Sequence, residues 1–97
     1  MGVKHGREYE EIIDELSVAI GSISDAYLFF EMEPADWDEL DEEQRKGLME
    51  VLADDVFYAL GEETAIAVGS GTVTYRPKHH CIEVSVDHIE SRLVRLI

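Results

Sequence analysis

Apolar side chains recur at three- and four-residue steps through the first third of the chain. This spacing places them on one face of an α-helix and predicts a helix over residues 7–30, with acidic side chains mostly off that face. Pro34 ends the predicted helix, because proline disfavours helical geometry in the residue before it. Leu28 and Phe29 lie outside the apolar stripe. We expect them to be covered either by the following segment, with Trp37 as the natural candidate, or by another subunit.

A second amphipathic pattern follows in the middle of the chain. Asp41 and Gln44 have the spacing of a capping box, in which each side chain bonds a backbone N–H of the other residue. Apolar positions between Leu48 and Leu60 then recur at helical steps, and Gly61 predicts a left-handed helix stop. The two helices form an antiparallel hairpin whose mutual contact cannot cover both apolar faces. A third layer is therefore required.

The pattern changes to that of β-strands after residue 64. Residues 65–68 and 72–75 are short runs of apolar, β-branched and aromatic side chains separated by a glycine-rich turn. A turn around Pro77 precedes residues 81–86, which alternate between apolar and polar positions. Such alternation is typical of a half-buried strand. The third layer is therefore predicted to be a small antiparallel sheet containing a hairpin.

The last ten residues allow two interpretations. Asp87 and Glu90 repeat the capping-box spacing, and later apolar positions follow at helical steps, which predicts a short C-terminal helix from about His88. The alternative is a last strand through residues 92–97. The prediction for the whole chain is an α+β fold in a single domain, residues 1–97. An N-terminal antiparallel helical hairpin (7–61) packs on an antiparallel sheet of two or three strands, and a short C-terminal helix completes the second part (64–97).

The charge is distributed very unevenly along this pattern. Residues 1–63 hold nineteen of the twenty-two acidic residues and four basic ones, whereas residues 64–97 have a net charge of +1. The overall charge of −14 opposes binding to phosphate backbones, so nucleic acid is not an expected partner. The field instead favours a basic protein surface or another cationic partner.

Six carboxylates fall within eight positions at the junction of the two predicted helices. Their spacing fails as an EF-hand, because Leu40 occupies a ligand position and Asp41 replaces the required glycine. They are interpreted either as a solvated helix start or as a docking face for a basic protein. We predict the second role for the set Asp36, Asp38, Glu39, Asp41, Glu42 and Glu43.

Two other sets of residues are candidate metal ligands. Glu11 with Glu15, and Glu50 with Asp54, are carboxylate pairs at helical spacing. This arrangement resembles the all-α nucleotide pyrophosphohydrolases, whose EExxE and ExxD motifs hold Mg²⁺ for pyrophosphate cleavage. Glu10-Glu11 followed by Asp14-Glu15 matches the first motif loosely, and Glu50 to Asp54 is one residue too wide for the second. The resemblance covers about a tenth of the chain and implies a metal-dependent nucleotide hydrolase.

The second set lies in the sheet half. His79 and Cys81 share one face of an extended segment, but a structural zinc site requires four ligands, and the adjacent His80 points to the other face. As a nucleophile, Cys81 would need an orienting group that the sequence does not identify. His79 and Cys81 therefore stay candidates for adventitious metal binding, and no cofactor is expected for the chain.

Three functions remain open at this stage. The first is a non-enzymatic interaction or regulatory module that binds a basic partner through its acidic helical face. The second is a self-associating structural domain, for which Leu28, Phe29 and a basic group of arginines and lysine in residues 76–95 are the candidate contacts. The third is the hydrolase. A lone cysteine, the absence of a long apolar run and the lack of a signal-like segment predict a cytoplasmic protein that does not associate with membranes.

Overall fold

The computed structural model describes residues 3–86 and 90–97. Within them the chain has an α+β fold in which the helices precede an antiparallel sheet. The helices are α1 (Tyr9–Gly21), α2 (Pro34–Asp38) and α3 (Glu42–Ala59), and a 3₁₀ helix (Ala26–Phe30) lies between α1 and α2. The strands are β1 (Ala65–Val68), β2 (Gly71–Arg76), β3 (Cys81–Val86) and β4 (Glu90–Arg95), with a 3₁₀ turn (Pro77–His79) before β3. The predicted fold class is confirmed, but the strand number and the C-terminal element differ from the prediction.

The predicted helix over residues 7–30 is divided into two pieces. Helix α1 ends at Gly21, where the Ala19 carbonyl oxygen accepts hydrogen bonds from both the backbone amide (3.2 Å) and the hydroxyl (2.5 Å) of Ser22. Ile23 and Ala26 nevertheless remain buried. The chain therefore keeps its apolar side toward the core across the break, which explains why the hydrophobic pattern did not reveal it.

Helix α3 begins as predicted and ends differently. The Asp41 carboxylate accepts a 2.8 Å hydrogen bond from the backbone N–H of Gln44, and the side-chain oxygen of Gln44 accepts one of 3.0 Å from the backbone N–H of Asp41. The predicted capping box is therefore confirmed. Gly61 is not left-handed, and the prediction of a glycine stop was wrong. Leu60 ends the helix in right-handed geometry and is itself buried. No helix in the described part of the chain combines the length and apolar character needed to cross a bilayer.

The core lies between the two long helices and one face of the sheet. Helices α1 and α3 are antiparallel, as predicted, because Tyr9 at the start of α1 contacts Phe57 near the end of α3. The strands follow chain order, β1-β2-β3-β4, and each neighbouring pair is antiparallel. The sheet contributes fully buried side chains to this core, including Val73, Ile82 and Val84. Its opposite face carries partly or fully exposed side chains, with the exception of the buried Cys81.

The predicted C-terminal helix was wrong, and a strand takes its place. Strand β4 pairs with β3 over six positions, and its alternation turns Val94 and Leu96 inward while Leu93 stays exposed. Pairing with the free edge of β3 satisfies a row of backbone groups that a terminal helix would have left to solvent. The proposed helix start at Asp87 and His88 lies outside the described residues.

A tight contact joins the helical part to the sheet. Gly69, in the turn between β1 and β2, has a φ of +56°, and a Cβ at this position would lie 2.4 Å from the Asp25 carbonyl oxygen. The Asp25 carboxylate accepts hydrogen bonds from the Ser70 amide at 2.9 Å and from the Ser70 hydroxyl at 3.0 Å. The segment after α1 therefore packs closely against the first turn of the sheet and is hydrogen-bonded to it.

Candidate functional site

The six predicted partner-binding residues lie on a continuous exposed segment. We call this the acidic segment; it consists of Asp36, Asp38, Glu39, Asp41, Glu42 and Glu43. Helix α2 holds the first two, and the start of α3 holds the last two. All six side chains are exposed, and Pro34 occupies the first turn of α2, where its fixed φ favours helix formation. The structure therefore brings the predicted residues together on one stretch of surface.

Part of the acidic segment has a structural role. Asp41 accepts the capping hydrogen bond of α3, and Glu42 and Glu43 lie in the first turn, where the positive end of the helix dipole favours carboxylates. The remaining three carboxylates accept no hydrogen bond from another described residue. These three, Asp36, Asp38 and Glu39, are the members best suited to an external contact.

The acidic segment is held against the helices by Trp37 and Arg45. The indole stacks on Tyr27 with ring centroids 5.7 Å apart, and the Arg45 guanidinium lies 5.3 Å from the indole centroid. Arg45 also donates hydrogen bonds to the carbonyl oxygens of Trp37 (3.1 Å) and Asp38 (3.2 Å). A positive charge close to the acidic segment therefore contacts backbone oxygens and an aromatic ring and leaves the carboxylates unpaired.

Trp37 does not bury the two apolar residues that it was expected to cover. Leu28 is 47% exposed and Phe29 is 38% exposed, while Trp37 lies on Tyr27. These two side chains remain the principal apolar exposure of the 3₁₀ helix. The alternative of an intermolecular contact at Leu28 and Phe29 stays a prediction.

Charge compensation is rare in the first 63 residues. Within the described part of the chain, only Glu11 and Glu15 among these acidic residues form an ion pair, and both pair with Arg7. Two further ion pairs, Arg76 with Glu83 and Arg92 with Glu90, join residues of the sheet. The helical surface therefore keeps most of its negative charge unneutralised.

The carboxylates that resemble a pyrophosphohydrolase motif have other partners. Arg7 lies 3.6 Å from Glu11, hydrogen-bonds Glu15 and donates to the Arg95 carbonyl oxygen at 3.0 Å. The hydrogen bond to Glu15 raises the pKa of the Arg7 guanidinium above its ordinary value. Asp54 accepts a hydrogen bond from the Tyr9 hydroxyl, and Glu50 is half-buried in α3. These contacts hold Glu11, Glu15 and Asp54 as neutralised or hydrogen-bonded groups.

The second metal candidate lies at the turn before β3. His79 is exposed in the 3₁₀ turn, whereas Cys81 is buried at the start of the strand and is free of any disulfide. Arg76 and Arg95 are the register partners of Cys81 on its two sides. In the described residues, no group of three or more His, Cys, Asp or Glu side chains converges to hold a metal ion. Within residues 3–86 and 90–97, neither candidate set is therefore part of a group of three converging ligands.

A feature that sequence reasoning missed lies at the opposite end of α3 from the acidic segment. A cleft of about 600 Å³ opens between the beginning of α1 and the end of α3. We call it the aromatic cleft; its lining residues are Val3, His5, Tyr9, Asp54, Asp55, Phe57, Tyr58 and Glu62. These residues come from two separated parts of the sequence, residues 3–9 and 54–62. No local motif could have identified them together.

The rings of the aromatic cleft are packed nearly perpendicular to one another. The centroids of Tyr9 and Phe57 are 5.1 Å apart at 85°, and those of His5 and Phe57 are 5.4 Å apart at 79°. Phe57 is almost fully buried, whereas Tyr9 is 39% exposed and Tyr58 is 79% exposed. The cleft therefore has a fixed aromatic floor and an open aromatic rim.

Comparison with known proteins adds no relative to these observations. No protein-family model, curated protein or solved structure matches this chain. Any function proposed for this chain must therefore be inferred from the arrangement of its own residues.

Proposed function

We propose that this chain is a non-enzymatic interaction module that binds a basic protein surface through the acidic segment. The observation that carries this proposal is that the segment's six carboxylates are exposed and have no ion pair with any described residue. A basic surface would therefore meet charges that no intramolecular cation has already neutralised. Complementary charge of this kind mainly accelerates encounter and selects the partner.

The order of the acidic segment supports the same proposal. The capping box, the stacking of Trp37 on Tyr27 and the hydrogen bonds from Arg45 hold the backbone between α2 and α3 in place. A segment that is ordered before binding loses less conformational entropy when it binds. The backbone that carries Asp36, Asp38 and Glu39 is thus ordered before a partner binds.

The test is capture of proteins from a cell lysate by the immobilised chain at about 0.05 M and about 0.5 M salt, where screening differs strongly. We expect basic proteins to be retained at low salt and released at high salt. A variant carrying Asp36→Asn, Asp38→Asn, Glu39→Gln and Glu43→Gln should lose this retention. Asp41 is left intact in this variant because it caps α3.

The matched control removes the same charge from another part of the helical surface. It carries Glu8→Gln, Glu10→Gln, Asp14→Asn and Glu63→Gln, all at exposed positions. We expect it to retain most of the captured basic protein. Equal loss in the two variants would show that only net charge matters, and retention that is insensitive to salt would exclude the electrostatic mechanism.

Self-association is the second candidate function, and the exposure of Leu28 and Phe29 favours it. Two neighbouring large apolar side chains on a protein surface are a common component of an interface. Sedimentation velocity at micromolar concentration should then show a dimer that Leu28→Ser dissociates. A monomer at all concentrations would remove this candidate.

We also propose a cytoplasmic location for the protein. The only cysteine, Cys81, is buried and forms no disulfide, as is usual in a reducing compartment. Fractionation of cells that express the tagged chain tests this proposal.

A further inference from the structure

The aromatic cleft presents aromatic surface that the core does not use. Tyr58 projects from α3 with 79% of its surface exposed, beside Phe57, which is only 7% exposed. Large aromatic side chains contribute most of their stabilisation through burial, so one left at the rim of a cleft is available to a ligand. Tyr9, on the other wall, is also partly exposed.

The cleft is lined by three carboxylates, together with the imidazole of His5. Asp54, Asp55 and Glu62 line it together with the aromatic rings, and its described lining includes neither lysine nor arginine. The Tyr9 hydroxyl donates a hydrogen bond to Asp54, which fixes one carboxylate beside the ring. The cleft therefore combines aromatic rings with carboxylates.

This combination selects one class of ligand. An anion would be repelled by the carboxylates, and a neutral apolar molecule would desolvate them without compensation. A metal ion requires several converging oxygen or nitrogen ligands, and no group of three or more such side chains occurs in the described residues. An alkylated ammonium ion satisfies both components, because its charge is attracted to ring faces and carboxylates while its methyl groups contact the rings.

We propose that the aromatic cleft binds the ammonium head group of an organic cation. This site is separate from the acidic segment, because Asp54 follows Glu43 by eleven helical residues, or roughly 16 Å along the axis of α3. The proposal therefore stands or fails independently of the docking function. Tyr9 on α1 and Tyr58 on α3 both line the cleft with exposed ring surface, so two aromatic side chains from different helices are available to the head group.

The first experiment compares choline with 3,3-dimethylbutan-1-ol, its neutral isostere, by NMR titration of the full chain. We expect choline to shift the resonances of Tyr9, Phe57 and Tyr58 saturably, with a Kd of about 1 mM or below. The isostere has the same shape without the charge, so it should bind at least about tenfold more weakly if cation–π and carboxylate attraction dominate. Equal binding of the two probes would overturn the proposal, and so would the absence of saturable shifts at about 10 mM choline.

Tyr58→Leu and Asp55→Asn, both at exposed positions, test the site without disturbing the core, and each has a control substitution outside the cleft. Tyr58→Leu should weaken choline binding by about threefold to tenfold through loss of the rim ring. Phe29→Leu removes another exposed aromatic ring, outside the cleft, and should leave binding unchanged. Asp55→Asn should also weaken binding, whereas Asp36→Asn removes the same charge from the acidic segment and should have little effect. If the two members of either pair behave alike, the cation is not held in the aromatic cleft.

A third comparison identifies whether the ammonium group belongs to a protein or to a small molecule. A short peptide with a central trimethyl-lysine presents the same head group on a polypeptide, whereas choline presents it as a free small molecule. Tighter binding of the peptide indicates a modified protein as the natural ligand, and tighter binding of choline indicates a metabolite. Either result supports an ammonium site if the same resonances shift.

Discussion

The helical half of the molecule (residues 3–63) and the sheet half (64–86 and 90–97) share one core but manage their surfaces differently. In the sheet half, Arg76 pairs with Glu83 and Arg92 with Glu90, so opposite charges lie beside one another. In the helical half, Arg7 pairs with two carboxylates, while Arg45 contacts Trp37 and backbone oxygens. The sheet half is thus close to electrostatic balance, and the helical half holds an uncompensated field. Both proposed binding sites lie in the helical half.

The two halves therefore contribute differently to stability and to the proposed binding sites. The sheet half contributes inward β-branched side chains and a turn that leaves no room for a Cβ at Gly69. The helical half contributes the larger share of the core, including Ile12, Leu16 and Leu52. Its surface also carries unpaired carboxylates that repel one another, and the shared core must offset this destabilisation. Breaking the joint between the halves should therefore have the largest effect on stability.

Gly69→Ala tests that joint and should produce the largest loss. Alanine would have to adopt a left-handed φ and would place its Cβ against the Asp25 carbonyl oxygen. We expect the free energy of unfolding to fall by about 3 kcal/mol, the sum of backbone strain and displacement of the Asp25 segment. Urea denaturation measures this loss.

Gly47→Ala is the matched control for this substitution. Gly47 lies inside α3, and a Cβ there would meet no atom within 4 Å. Because alanine favours helix over glycine, we expect a gain of about 1 kcal/mol or less. A loss in both variants would mean that the effect of Gly69→Ala does not report on the joint.

Asp41→Ala sharpens the comparison within the acidic segment itself. It removes the side-chain acceptor of the Gln44 amide, so the free energy of unfolding should fall by about 1 kcal/mol. Asp36→Ala removes an exposed carboxylate without a described hydrogen-bond partner and should change stability by less than about 0.5 kcal/mol. Thermal and urea unfolding of both variants separate the acid that supports α3 from the acid that is available to a partner. Equal losses would assign the whole segment a structural role.

These residues also show what the sequence could and could not predict. The capping box depends on two residues three positions apart, so it was predictable from local chemistry. The terminal segment was ambiguous because Leu93 and Leu96 fit helical spacing, whereas Val94 and Leu96 fit a strand. The segment forms a strand because it pairs with the free edge of β3, and no local sequence pattern describes that pairing. The aromatic cleft was unpredictable for the same reason, since Tyr9 and Asp54 are 45 positions apart when they form their hydrogen bond.

Salt should stabilise the chain by screening the helical half. Raising sodium chloride from about 0.05 M to about 0.5 M shortens the Debye length and weakens repulsion among the unpaired carboxylates. We expect the urea-derived free energy of unfolding to rise by somewhat less than about 1 kcal/mol. The variant with four neutralised residues in the acidic segment should respond less to salt. An unchanged or falling stability in the original chain would show that repulsion in the helical half is energetically unimportant.

The smallest expected effect concerns the paired charges of the sheet half. Arg76 donates hydrogen bonds of 3.0 and 2.6 Å from Nε and Nη2 to one carboxylate oxygen of Glu83 on the neighbouring strand. Both side chains are partly exposed, so a double-mutant cycle with Arg76→Met and Glu83→Gln should give a coupling energy of about 0.5 kcal/mol. The same cycle on Arg92 and Glu90, whose closest atoms are 4.0 Å apart, serves as the control and should give a coupling near zero. If the Arg76–Glu83 coupling is also near zero, the balance of the sheet half reflects composition alone, and only the helical half's charges have a measurable energetic effect.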